Sequence, residues 1–289
     1  MLVHCFSLSG QCIPILNVIQ QYAKYIRCEG KVVFCKENFH MYTGSTLCSV
    51  DNAGYIYICV NFHNIIKVIS KENKLCTTIS VNRPRSVSIY ENELYVVCFN
   101  SDLHSDVVNV YSLAKKASKK AVRQITFNKI IHGHIYCLCV ISSGDIVICD
   151  WSDEVQFFSK TGSYLYGFNL NDSAMQDIIG PSKKYMVFKN DFLYISNDMS
   201  DNMWVLTSNC IFLKCIYIKG LSNVGQFAIS ALNEFILPNW LVDEITVYDL
   251  SGRSLRSIKI TDLHCPHGVA VMPDGRIFAV GRNMHLLLE

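Results

Sequence analysis

Two histidine-rich stretches hold the residues best suited to chemistry. "HGH" occupies positions 132–134 and "HCPH" positions 264–267. Neutral imidazoles ligate zinc, and a catalytic zinc needs three protein ligands and an open position. The rings also need carboxylates behind them to fix their orientation. No Glu or Asp follows either stretch at a recognisable spacing. Calcium would need a cluster of oxygen ligands, which the neighbouring loops lack. The sequence therefore predicts no metal and no cofactor, and reads these histidines as polar residues of loops. Nucleophile motifs are missing as well: there is no GxSxG, no P-loop and no HExxH. Cys265 lies between His264 and Pro266 and is the only cysteine whose neighbours suit a reactive thiol. No catalytic residue is predicted, and the reading leans away from an enzyme.

Binding chemistry is better represented. Arg83 and Arg85 offer guanidinium donors for carboxylate or phosphate. Trp151 and Trp240 offer flat aromatic surfaces for stacking. "LAKKASKKAVRQ", residues 113–124, holds four lysines and an arginine. Such a run either contacts a phosphate backbone or is a solvated loop that protects a strand edge by charge. The formal net charge is only +2, so no global field draws the chain to nucleic acid or an acidic membrane.

The elements that must position these residues repeat along the chain. "PHGVAVMPDGRIFAVGRN", residues 266–283, reads as apolar strand, tight turn, apolar strand and polar stop. The same order recurs in residues 47–70, 84–100, 134–162, 183–209 and 226–252. Central turns fall at Gly54, Asn92, Gly144, Asn190, Asn233 and Gly275, in steps of 38 to 52 residues. Gly and Asn tolerate the left-handed φ that tight hairpins need. The flanking runs are rich in Val, Ile, Tyr and Phe, which suit a pleated and half-buried surface. The one weak helical pattern is "PILNVIQQYAKYI", residues 14–26.

A period of this size with about four short strands per repeat is the signature of propeller blades. One blade cannot bury both of its faces, and radial stacking buries them all. The expected fold is all-β: a six-bladed propeller of four-stranded antiparallel blades forming one domain over residues 1–289. The N-terminal segment, residues 1–40, is expected to close the ring, because the last copy stops partway through its third strand. "LVHCFSLSGQC", residues 2–12, resembles the outer half of a blade. "YIRCEGKVVFCKEN", residues 25–38, fits either the outer strands of the closing blade or a degenerate seventh.

At the level of family, "PHGVAVMPDGRIFAVGRN" and "VDNAGYIYICVNFHNIIKVIS" resemble NHL repeats. Pro266, Gly268, Val269, Ala270, Val271, Asp274 and Gly275 match that pattern, as do Asp51, Gly54, Asn64, Ile66 and Val68. The middle copies keep the apolar pattern and few signature residues. The resemblance implies the ligand-binding end of a tripartite-motif-like protein, such as the recognition part of a ubiquitin ligase or an RNA-binding regulator. Related six-bladed propellers include metal-dependent lactonases and lyases, and fold alone does not choose between these.

Propeller geometry then sorts the candidates. Loops that lead into each first strand share a face with loops that join second and third strands; the Gly/Asn turns lie on the opposite face. The lead-in face collects Arg83, Arg85, His134, Trp151, Gln226, Trp240, His267 and Arg282, the predicted ligand-binding residues. The expected partner is a protein segment, ahead of RNA, with no membrane and no DNA. The 14 cysteines sit mostly inside apolar runs such as "YIYICV" and "DIVICD", which suits a reduced cytoplasmic setting. No run of 18 apolar residues offers a membrane span.

Overall fold

Apolar runs without alternation, such as "IYICV" and "IVIC", make sense only if both faces of a strand are covered. The computed structural model shows how. It describes residues 32–35, 47–113, 119–150, 152, 154–170, 183–260, 263–281 and 285–288. The first strand, β1 (Val32–Cys35), is returned to below. Blade one is β2 (Cys48–Val50), β3 (Ile56–Val60), β4 (Ile65–Ile69) and β5 (Leu75–Ser80). Blade two is β6 (Ser86–Tyr90), β7 (Glu93–Asn100), β8 (Ser105–Ser112) and β9 (Arg123–Ile125). Blade three is β10 (Cys137–Val140), β11 (Ile146–Cys149), β12 (Glu154–Phe158) and β13 (Tyr164–Asn169). Blade four is β14 (Lys184–Lys189), β15 (Phe192–Asn197), β16 (Asn202–Thr207) and β17 (Phe212–Tyr217). Blade five is β18 (Ala228–Ile229), β19 (Phe235–Asn239), β20 (Glu244–Tyr248) and β21 (Ser254–Lys259). Blade six is β22 (Gly268–Val271), β23 (Ile277–Val280) and β24 (His285–Leu288), with β1 as its outer strand.

Six antiparallel sheets of four strands result. Among the described residues the only helical element is the 3₁₀ turn Asn61–His63. β1 pairs with β24 in antiparallel register, Val32 opposite Leu288 and Cys35 opposite His285. The N-terminal segment therefore supplies the fourth strand of the last blade and closes the ring. Residues 25–31 and 36–38 of the unplaced hairpin pattern, and residues 2–12 and 14–26, lie outside the described residues.

The turns follow the expected chemistry with one shift. Gly54, Gly144 and Gly275 have φ of 85°, 83° and 89°, and Asn190 and Asn233 have φ of 51° and 59°. In blade two the left-handed residue is Glu91 (φ 52°), one position ahead of the expected Asn92.

Six hydrophobic clusters account for the packing, one in each interface between neighbouring blades. Along β3, Ile56, Ile58 and Val60 face blade six while Tyr57 and Cys59 face blade two. The two-residue side-chain period of a strand thus feeds two cores at once. Innermost strands also touch directly. The Met186 N–H meets Cys137 Sγ at 3.2 Å, and Gln226 bridges Gly268 in parallel. Leu47, just ahead of β2, packs with Tyr185 and Phe227 of blades four and five. Blade one therefore reaches across the axis.

Six cysteines belong to these cores. Cys48, Cys59, Cys98, Cys137, Cys139 and Cys149 are buried free thiols. Burial pushes the thiols of Cys48 and Cys98 up to about 12 and that of Cys137 to about 11. A bulky disulfide reagent should thus modify exposed Cys76 and Cys215 first among the described cysteines. Prompt reaction of the six buried thiols in the native state would contradict this packing.

Candidate functional site: the lead-in face

Four polar residues at or just before third strands stitch the lead-in face together. Each accepts a backbone N–H from the loop leading into the next blade. Asn64 Oδ1 takes the Arg83 N–H at 2.9 Å, and Asp106 Oδ2 takes that of Ile135 at 2.8 Å. Asp201 Oδ1 takes the Ser222 N–H at 2.9 Å, and Asp243 Oδ1 takes that of Cys265 at 2.7 Å. Asn64 stands just ahead of β4, and Asp106, Asp201 and Asp243 hold the matching place in blades two, four and five. Sequence reasoning missed them. Their signal was a polar residue just ahead of each third apolar run, as in "HNIIKVI", "SDVVNVY", "SDNMWVL" and "VDEITVY".

These bonds carry a pH signature. The Cys265 N–H holds the Asp243 carboxyl below the usual carboxylate range, and nearby His264 acts in the same direction. Burial alone would raise Asp201, but N–H groups of Ser222 and Gly220 bring it below its ordinary value. A carboxyl depressed on folding adds stability above its unfolded pKa, about 3.9, and loses it as pH falls through the folded value. Asp243→Asn should lower stability near neutrality by about 1 kcal/mol or less, since the side chain is partly solvent-screened. Chemical denaturation from pH 7 to 2 should show the difference closing below about pH 4. A difference that does not change with pH would contradict the assignment.

The predicted residues divide into groups. Arg83 is exposed, has φ 44°, and places its guanidinium carbon 5.5 Å from the Phe99 ring centre. Arg85 Nε lies 3.4 Å from Asp106 Oδ1, and His134 Nδ1 lies 3.5 Å from Asp106 Oδ2. Two predicted residues thus converge on one buried carboxylate. Tyr136 stands beside them. Burial raises its phenol pKa, the Arg85 charge opposes that, and the Asp198 charge of blade four adds to it. Trp240 and His267, from blades five and six, have ring centres 6.4 Å apart at 36°. Gln226 is committed inward: its Oε1 accepts the Cys48 N–H at 2.7 Å and its Nε2 donates to the Cys48 carbonyl at 2.8 Å. Trp151 and Arg282 lie outside the described residues.

The histidine pairs head blades three and six. His132 gives its backbone N–H to buried Asp150 at 2.8 Å, and His264 Nδ1 lies 3.4 Å from Asp243 Oδ2. Among the described residues no three His, Cys, Asp or Glu side chains gather as a metal site. Of the basic run, residues 114–118 lie outside the description, and Lys119 and Lys120 are exposed. Arg123 binds Glu93 with both terminal nitrogens at 2.6 Å.

What the sequence reading did not rank is the apolar content of this face. Phe62, Leu103, Met199, Leu241 and Val242 sit in second-to-third loops, and Ile130 in a lead-in loop; each is more than half exposed. All seven described histidines lie at the same end, six of them on loops. On the opposite face the six first-to-second turns expose Tyr55 and Leu232, each below 40%, and two third-to-fourth loops expose Val122 and Ile211.

Solved structures place this architecture. A streptogramin B lyase structure matches with a TM-score of 0.58 and 13% identity, over 84% of this chain and 78% of that one. Virginiamycin B lyase from Staphylococcus aureus matches with a TM-score of 0.60 and 11% identity, over 90% of this chain and 99% of that one. A chain of the mitotic checkpoint complex matches with a TM-score of 0.60 and 8% identity, over 100% and 97%. This chain is a six-bladed propeller. At such identities the likeness shows the fold and nothing more. No protein-family model matches the sequence, and no curated protein matches it. Among the described residues no helix is long and apolar enough to cross a membrane.

Proposed function

We propose that the chain is a non-catalytic recognition propeller whose lead-in face binds a segment of another protein. The observation that carries this reading is the recurrence of a well-exposed apolar residue in the second-to-third loops. Every second-to-third loop described in full, those of blades one, two, four and five, projects one that is more than half exposed, whereas the first-to-second turns expose only Tyr55 and Leu232, each below 40%. Exposed apolar groups rimmed by polar ones are the usual mark of a partner site. Phe62, Leu103, Met199 and Leu241 supply the apolar anchors. Arg83, Arg85, His134, His267 and Arg282 supply donors, and Trp151 and Trp240 supply flat surfaces. Gln226 holds the floor by tying blade five to blade one. The repeats are read as NHL-type and the domain as the substrate-recognition part of a ubiquitin-ligase-like protein in the cytoplasm.

A protein segment is favoured over RNA because carboxylates interrupt the cations. Asp106 lies against Arg85 and His134, and Asp243 against His264. An alternative enzymatic reading, a metal-dependent lyase-like propeller, draws on the histidine pairs of blades three and six. Stoichiometric zinc or calcium in the purified protein would favour it.

The test is peptide selection from a random displayed library on the immobilised full chain. Selected peptides should bind the triple variant Phe62→Ser, Met199→Ser, Leu241→Ser at least about tenfold more weakly, a loss of about 1.4 kcal/mol. Their affinity should change little with salt. Unchanged binding by the variant would overturn the reading. Binding only to single-stranded RNA, with a steep salt dependence weakened by Arg83→Ala and Arg85→Ala, would replace it with the RNA reading.

A further inference from the structure

The rim of the propeller is not uniform. Outer strand β5 exposes Leu75 and Cys76 among Thr and Ser, β21 exposes Leu255 among Ser, Arg and Lys, and β9 exposes Arg123 and Gln124. β17 instead exposes Phe212, Leu213, Cys215 and Tyr217, with exposed Ile211 just ahead of it. The adjoining outer strand β13 exposes Leu165 and Tyr166. The Tyr166 hydroxyl reaches the Ser208 carbonyl at 3.4 Å, so the apolar strips of blades three and four meet.

β17 has a hydrogen-bonded neighbour on one side only. On the other side alternate residues turn their N–H and C=O groups outward, a template for another strand. Proteins usually blunt such an edge with charge, as β21 does with Arg256 and Lys259. β17 carries Lys214 alone. Charge also selects the occupant. Lys214 and Lys219 are exposed on and just after β17, which contains no carboxylate. Beside β17, Asp201 already accepts the Ser222 N–H and lies 3.5 Å from the Tyr217 hydroxyl; on the β13 side, Glu154 accepts from the Tyr164 hydroxyl and is paired with Lys129, and the Asp145 charge reaches Tyr166. Two copies of this edge would bring like charges together, whereas an acidic strand would meet opposite ones.

We propose that β17 is a second docking edge, distinct from the lead-in face, which takes an extended acidic segment of a partner protein as a fifth strand of blade four. The main-chain ladder holds the segment, and apolar side chains at alternate positions pack on Phe212, Leu213 and Tyr217.

The probe is a fluorescein-labelled octapeptide alternating valine and aspartate, titrated into the full chain by anisotropy. Leu213→Asp, at an exposed site, should fold normally and bind the probe at least about tenfold more weakly through like-charge repulsion. A valine–lysine octapeptide should bind wild type more weakly by a similar factor. The lead-in triple variant should bind the acidic probe as wild type does, which separates this proposal from the first. Equal binding by wild type and Leu213→Asp, or no binding up to about 1 mM, would overturn it. A wild-type dimer in light scattering that Leu213→Asp converts to a monomer would assign the edge to a second copy, and would also overturn it.

Discussion

Trp204→Ala is expected to destabilise the propeller by about 3–5 kcal/mol, the range for deleting a large aromatic side chain from a tight core. Trp204 is fully buried on β16, between Ile195 of β15 and Cys215 of β17. It fills the interface between blades three and four together with Phe157, Met186, Leu193 and Leu206. Neither blade can collapse into the space alone, because each is held by its other neighbour. The loss is a large part of a typical total stability of about 5–15 kcal/mol. Urea denaturation of the variant measures it directly. Leu232→Ala, on the turn face, is the control and should change stability by about 0.5 kcal/mol or less. A Trp204→Ala loss below about 1 kcal/mol would mean that this interface is not a packed core.

Ring closure gives the second large effect. A chain beginning at residue 47 lacks β1 and leaves β24 as an open edge. Four residue pairs of the β1–β24 ladder vanish. At about 0.5–1.5 kcal/mol per hydrogen bond, the loss is about 2–6 kcal/mol. The truncated protein should melt earlier and aggregate through the exposed edge of β24. A synthetic peptide of residues 25–40 added in trans should restore much of the melting temperature. A truncated chain as stable as the full one would mean that β1 does not close the ring.

The architecture was legible because its cause is local and repeated. The run Ile56–Val60 must be covered on both faces, and a three-residue loop ending in left-handed Gly54 sends the chain straight back. The same grammar recurs at Gly144 and Gly275, and the structure settles the count at six blades. The closing strand was only half legible: "VVFC" was recognised as strand-forming, but its partner, "HLLL", is its neighbour only in a closed ring. Long-range pairing leaves no trace in local pattern.

The candidate site was legible by face and not by role. Topology put Arg85 and His134 at one end, yet their convergence on Asp106 depends on two blades meeting at a set angle. Gln226 looked like a free loop amide, but its partner Cys48 lies 178 positions away. The exposure of Phe62, Met199 and Leu241 was not legible, since an isolated apolar residue in a loop reads the same whether it packs inward or faces water. Exposure decides it, and exposure belongs to the fold.

The most direct measurement is hydrogen exchange on the full chain with and without a saturating selected peptide. The account predicts slowed exchange in the loops at 61–64, 101–104 and 240–243 and in the lead-in segments at 83–85 and 264–267. It predicts no change in the turns at 52–54, 142–144 and 273–275. Protection confined to those turns, or spread equally over both faces, would contradict a lead-in face built for recognition.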